Sequence, residues 1–299
     1  MTTPSTSSFL VQPPFDAESF GDCIIQASDG AELKVLRAIL GMASCVFRDM
    51  FDMPPPPESN AGENTGKGDV TPLPVIPVAE DAETLQVMLQ MIYPLAPPSI
   101  QSITQAHKLA TACAKYFIDT PKVQLHVRQI LSQNDSLEMD AVGCYTLAWR
   151  LGIDQEAVVA SRYPHTLDIG AKTVAKRILA ESGDLEALLA LWDLRVRTYK
   201  ALDELLELAP IFYDMACGSH RRSVGTSGAY IKRREDLRER MAVPNLVCDD
   251  VEAFLDFQAG SGPSDCSECA KRKSARLDEA RAAVRVALQT YPRTIKGLS

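Results

Sequence analysis

The sequence predicts an α+β domain over residues 15–131, a small sheet with flanking helices, followed by a mainly α-helical C-terminal region. Three observations carry that expectation. Two short apolar runs flank Asp29-Gly30, the pattern of a β-hairpin. From Ile39 onward apolar residues recur every three or four positions, the period of a helix buried on one face. Beyond Ser102 the start and stop signals are those of helices alone. A chain of 299 residues accommodates two units of ordinary size, and 46% hydrophobic against 23% charged residues excludes disordered and fibrous classes for the whole.

Residues 1–14 are rich in Ser, Thr and Pro and read as a flexible N-terminal arm. Phe9, Leu10, Val11 and, just beyond it, Phe15 are apolar enough to pack, either on their own domain or on a partner subunit. Cys23 to Ala27 and Leu33 to Val35 form the hairpin, where Asp29-Gly30 suits a type I′ turn with two positive φ angles. One helix follows on the stripe Ile39, Leu40, Ala43, Val46, Phe47 and Met50, halted by Pro54. Residues 54–72 begin with four prolines and continue in Glu, Ser, Asn, Gly and Lys; they bury too little apolar area to offset their ordering entropy and are expected to be a disordered insertion. Val75 to Val78 reads as an edge strand rejoining the hairpin, and Glu83 to Tyr93 as an amphipathic helix ended by Pro94.

Ile103, Ala106, Leu109, Ala110, Cys113 and Phe117 make the next stripe. Thr120 then supplies an N-cap oxygen and Pro121 a preset φ for a helix through Val123, Val127, Ile130 and Leu131. An α-helical extension over 132–216 holds a helix from about Leu137 to Leu151 closed by Gly152, a helix capped by Asp154, and a long one from Leu185 to about Leu208 begun by Asp184. Residues 217–299 read as a mixed helical tail rich in Cys and basic residues. The N-terminus lacks the charged and apolar regions of an export signal, and no apolar run approaches the ~20 residues that cross a bilayer. Eight cysteines are too sparse for a secreted disulfide scaffold, so cytoplasm or nucleus is expected, with no membrane association.

Phe15-Asp16, Asp22 to Ile25, Asp29 to Val35, Ala38 to Leu40 and Ala43 to Phe51 together resemble a BTB/POZ domain. Leu73 to Val78, Leu85 to Pro94 and Ala110 to Asp119 are similar to that family's third strand, its helix ending in Tyr and its Ala-x-Lys-Tyr helix. The phrasing of Ser28-Asp29-Gly30, Phe47 to Phe51 and the Pro-rich insertion is similar to the expanded BTB group of mushroom-forming basidiomycete fungi. Leu36 stands at the helix start where many members carry His. The resemblance implies a protein–protein interaction module, often a homodimer, serving transcription complexes or acting as a substrate adaptor of cullin-type ubiquitin ligases. Adaptors of the family usually carry a hydrophobic-x-Glu signal in the loop after the early helices; here that loop holds Glu58 and Glu63 only, which ranks the adaptor role below generic scaffolding.

Cys217-Gly-Ser-His220 and Cys266-Ser-Glu-Cys269 have the two-residue spacing that lets one turn present two ligands to a tetrahedral ion, so the four would close a structural zinc site, with Cys248 as a substitute ligand. The 45 residues between His220 and Cys266 exceed ordinary finger spacing, and reduced surface thiols are the plainer reading. Cys266 and Cys269 as a redox pair would want a preceding βαβ pattern, which the sequence lacks. Cys23, Cys45, Cys113 and Cys144 lie on apolar patterns and are expected in the core.

The net charge of −8 divides into −12 over residues 1–216 and +4 over residues 217–299. The overall field argues against wholesale nucleic-acid binding. The basic clusters are Arg221-Arg222, Lys232-Arg233-Arg234, and Lys271-Arg272-Lys273 with Arg276, Arg281 and Arg285. All are interleaved with acids and read as solvated helix faces. Gly62 to Gly68 falls one residue short of a phosphate loop and follows no strand, and no serine-hydrolase, zinc-protease or dinucleotide-binding motif occurs. The expected function is therefore non-catalytic interaction with protein partners through residues 15–131, with self-association through the first helices and the arm. The alternatives are a zinc-stabilised nuclear or transcriptional regulator and a cullin-type ligase adaptor.

Overall fold

A computed structural model describes residues 9–53, 73–132, 134–163, 169–207, 232, 235 and 266–296. The insertion 54–72 and the residues Cys217, His220 and Cys248 lie outside the described residues. The chain divides into two compact units, Met1–Ser136 and Leu137–Ser299.

The first unit is built on β1 (Cys23–Gln26), β2 (Glu32–Val35) and β3 (Val75–Pro77), in the order β2-β1-β3. β1 pairs antiparallel with β2, Cys23 opposite Val35, and parallel with β3, Ile24 opposite Val75. Cys23, Ile25, Leu33 and Val35 alternate inward and are buried, as strand periodicity requires. Pro77, which has no N–H to give, sits on the edge strand β3 as expected, and the ladder resumes where the Val78 amide donates to the Gln26 carbonyl at 2.9 Å.

The hairpin turn differs from the expected type I′. The Gly30 amide donates to the Ala27 carbonyl at 3.0 Å and the Ala27 amide to the Ala31 carbonyl at 2.9 Å, while only Gly30, at φ +85°, has a positive φ in the turn. This is a three-residue loop with a bulge at glycine, and it lets Asp29 turn its carboxylate to the Ala31 and Ala82 amides at 3.3 and 3.2 Å.

The helix expected over 39–50 is two: α1 (Arg37–Ala43) and α2 (Cys45–Asp52). Ser44 is extended at φ −145°, and its Oγ accepts from the Phe47 amide at 3.2 Å, so it ends one helix and caps the next. α3 (Ala82–Ile92), α4 (Ile103–Lys115) and α5 (Thr120–Leu131) complete the layer, with Asp81 and Ser102 capping α3 and α4. Asp119, not Thr120, is the N-cap of α5, and it makes no side-chain cap bond; Thr120 and Pro121 occupy the first turn.

α6 (Asn134–Met139) spans the division between units. The helix expected from Leu137 to Leu151 breaks at Asp140, whose carboxylate caps α7 (Ala141–Arg150) by accepting from the Gly143 amide at 3.0 Å. Gly152 does close it, at φ +64°. α8 (Asp154–Ala160) begins with Asp154 inside the helix and Ile153 at the cap position, which offers no side-chain oxygen. α9 (Lys172–Ser182) and α10 (Leu185–Glu207) follow, and α11 (Ser267–Gln289) is the last described helix.

α7 is buried from Ala141 to Ala148 without interruption, the signature of a central helix, and it packs on α8 and α9. The Tyr145 hydroxyl donates to the Ala187 carbonyl at 2.7 Å, and Arg177 grips both Asp140 oxygens at 2.9 and 2.6 Å. Ala187, Leu191, Leu194, Leu202 and Leu205 give α10 its buried stripe.

Candidate interaction surface

The first unit holds its outermost chain with a small number of specific contacts. Phe15 is fully buried, edge-on to Tyr93 at 5.0 Å, and its carbonyl accepts from the Lys34 amide at 2.8 Å. The Gln12 amide donates to the Gln86 side chain at 2.8 Å. Gln12 and Phe15 thus anchor on their own domain, while Leu10 is turned outward. Along the same border the Tyr93 hydroxyl accepts from the Leu36 amide at 2.7 Å and Asp22 from the Arg37 amide at 2.8 Å. These two side chains cap α1, whose own N-cap, Leu36, has no side-chain oxygen to offer.

A second group of contacts fixes α2 and the end of α4. The Ser44 hydroxyl donates to the Tyr116 carbonyl at 2.5 Å, and the Phe47 and Tyr116 rings stack at 4.5 Å. The Tyr116 hydroxyl donates to Glu80 at 2.5 Å, and Lys115 reaches the other Glu80 oxygen at 2.8 Å. Burial pushes the Glu80 carboxyl up, but hydrogen bonds from Lys115 and Tyr116 outweigh it and hold the group below its ordinary pKa. Burial, with Glu80 beside it, raises the Tyr116 phenol to about 12.

Outside this framework several large apolar side chains of the first unit are left in solvent among the described residues, the four most exposed being Met42 at 89%, Phe20 at 84%, Leu10 at 77% and Phe117 at 72%. The sequence reading missed three of these four for different reasons. Phe20 lies between the arm and β1 and belongs to no periodic run, while Met42 falls off the apolar stripe of α1. Phe117 was expected on the stripe of α4, but that helix ends at Lys115 and Phe117 adopts φ +51°, which turns it outward. A bulky side chain in the left-handed region costs about 1–2 kcal/mol. Such side chains give their fold little; burying them against a partner would recover roughly 25 cal/mol per Å² of apolar surface.

Of the residues proposed to bind zinc, Cys266 is half-buried at the N-cap of α11 and Cys269 is buried one turn in. The structure therefore brings two of the four together on one turn; Cys217 and His220 lie outside the described residues. Among the described residues no group of three or more His, Cys, Asp or Glu side chains is placed to hold a metal. Cys23, Cys113 and Cys144 are in the core as expected, but Cys45 is exposed at the start of α2, because the break at Ser44 rotates it off the apolar face. Burial raises the Cys113 thiol to about 12 and does the same to Cys144. The basic residues of α11 pair along the helix, Arg272 with Glu268 at 3.0 Å, Arg276 with Glu279 at 2.9 Å and Arg281 with Asp278 at 3.3 Å, as a solvated face would. No helix among the described residues is long and apolar enough to cross a membrane.

Comparison with protein families matches residues 11–135 to the BTB/POZ domain. No curated protein matches the chain.

Proposed function

With residues 11–135 forming a BTB/POZ domain, we propose that this chain is a non-catalytic scaffold for protein–protein interaction that associates with a second copy of itself. The observation that carries the reading is the exposure of Phe20 and Met42 outside the domain's buried core. Isolated exposed apolar residues are ordinary, but two side chains this large at more than four-fifths exposure in one small domain favour a covered face. Light scattering across a concentration series tests it. A dimer is expected, and Phe20→Asp with Met42→Asp should shift it to monomer; a wild-type chain that stays monomeric throughout sinks self-association.

A second reading, a zinc-stabilised regulator, is favoured by Cys266 and Cys269 lying on one turn. Zinc retained by the purified full chain and lost in Cys266→Ser with Cys269→Ser would support it, and a folded, metal-free chain would remove it. Affinity capture with the full chain, followed by mass spectrometry, separates cullin-ligase partners from transcription complexes.

A further inference from the structure

The second unit contains a cavity of about 810 Å³ whose lining includes Arg162, Arg197, Arg285, Arg293 and Lys296 and, among the described residues, no acidic side chain. Three distant stretches of sequence supply these cations: the chain just past α8, the middle of α10, and the chain from the end of α11 onward. Asp193 answers two of them from outside the lining, Arg197 at 2.7 Å and Lys296 at 3.9 Å. Arg162 and Arg293 make no ion pair among the described residues.

The walls are held by hydrogen bonds between those stretches. The Ile295 amide donates to the buried Ser161 hydroxyl at 3.2 Å, Arg197 donates to the Thr294 carbonyl at 3.2 Å, and the Tyr291 hydroxyl donates to the Thr198 carbonyl at 3.4 Å. Leu288, Tyr291 and Ile295 are buried beneath them. The cations are thus mounted on a fixed floor, which lowers the ordering cost of converging on one ligand.

We propose that this cavity binds a small, multiply charged phosphate ligand. Planar guanidinium forks match phosphoryl oxygens two at a time, and several of them around one opening suit a ligand with more than one phosphoryl group. Its volume is that of a small-molecule site. A nucleic-acid strand is the less favoured occupant, because Tyr291 is buried with its hydroxyl on the Thr198 carbonyl and offers no ring face for a base to stack on.

Titration calorimetry of the full chain with inorganic pyrophosphate tests the proposal. Binding is expected, weaker for inorganic phosphate and for a tricarboxylate of similar charge. Arg162→Gln with Arg293→Gln, both exposed side chains, should lower pyrophosphate affinity by about tenfold or more, since charge-assisted contacts to phosphate are among the stronger hydrogen bonds. Arg272→Gln with Arg276→Gln removes the same charge from the outer face of α11 and should leave affinity unchanged; unaltered thermal melts establish that both variants fold. Absence of pyrophosphate binding, equal losses in the two double variants, or binding of a single-stranded oligonucleotide that pyrophosphate does not displace would each overturn the proposal.

Discussion

Ser44 joins two parts of the first unit through one hydroxyl, accepting from the Phe47 amide and donating to the Tyr116 carbonyl. Ser44→Ala removes both bonds inside a buried setting and should cost about 1–2 kcal/mol, read from denaturant unfolding. Glu80 makes the complementary prediction in pH. Its folded pKa lies below the ordinary value, so its contribution is fully present above the ordinary carboxylate pKa and is lost as pH falls through the folded one. The wild-type melting temperature should therefore drop more steeply than that of Glu80→Gln on acidification below about pH 4.5. Cysteine accessibility divides in the same residue-by-residue way: an alkylating reagent followed by mass spectrometry should label Cys45 in the native protein and Cys113 and Cys144 only after unfolding. The sequence placed the three core thiols correctly because they sit on apolar stripes. It misplaced Cys45 because one serine in extended conformation changes the phase of everything after it.

At the scale of elements, the hairpin shows where local reading stops. Asp29-Gly30 is compatible with two turn types, and the choice is made by Asp29 reaching the Ala82 amide at the start of α3, a contact across the fold that no local pattern contains. Gly30→Ala meets no atom within 4 Å, so its cost is conformational, about 1 kcal/mol from φ +85° alone. At Gly21 an added Cβ would lie 2.9 Å from the Val35 backbone, and Gly21→Ala should be the more damaging of the two in a thermal melt. The three strands and most of the helical stretches were legible from their periods, while the breaks at Ser44 and Asp140 and the caps that Asp81 and Ser102 supply were not. Nor was it legible which side chains the finished domain leaves uncovered, since exposure depends on neighbours that arrive from elsewhere in the chain. Phe117 is the plainest case: its spacing continues the stripe of α4, and only the backbone turn at φ +51° takes it off that face.

For the whole molecule, the charge asymmetry read from the sequence acquires a location. The α11 pairs neutralise much of the tail's basic run, but Arg285, Arg293 and Lys296 line the same cavity as Arg162 and Arg197. No scan along the sequence would group residues 162, 197 and 293, because nothing but the tertiary fold brings them together. The two compact units predict separable stability: a fragment ending at Ser136 should retain a cooperative thermal transition by circular dichroism, and a broad, non-cooperative melt would show that the first unit depends on the second.

The hydrogen bonds that tie residues 291–295 to Ser161, Arg197 and Thr198 have a consequence for synthesis. They join positions 93 to 134 residues apart. The first unit can close while the ribosome is still translating the helices of the second. The second unit must wait until the segment around Ile295 has emerged from the exit tunnel, since that segment supplies its closing contacts.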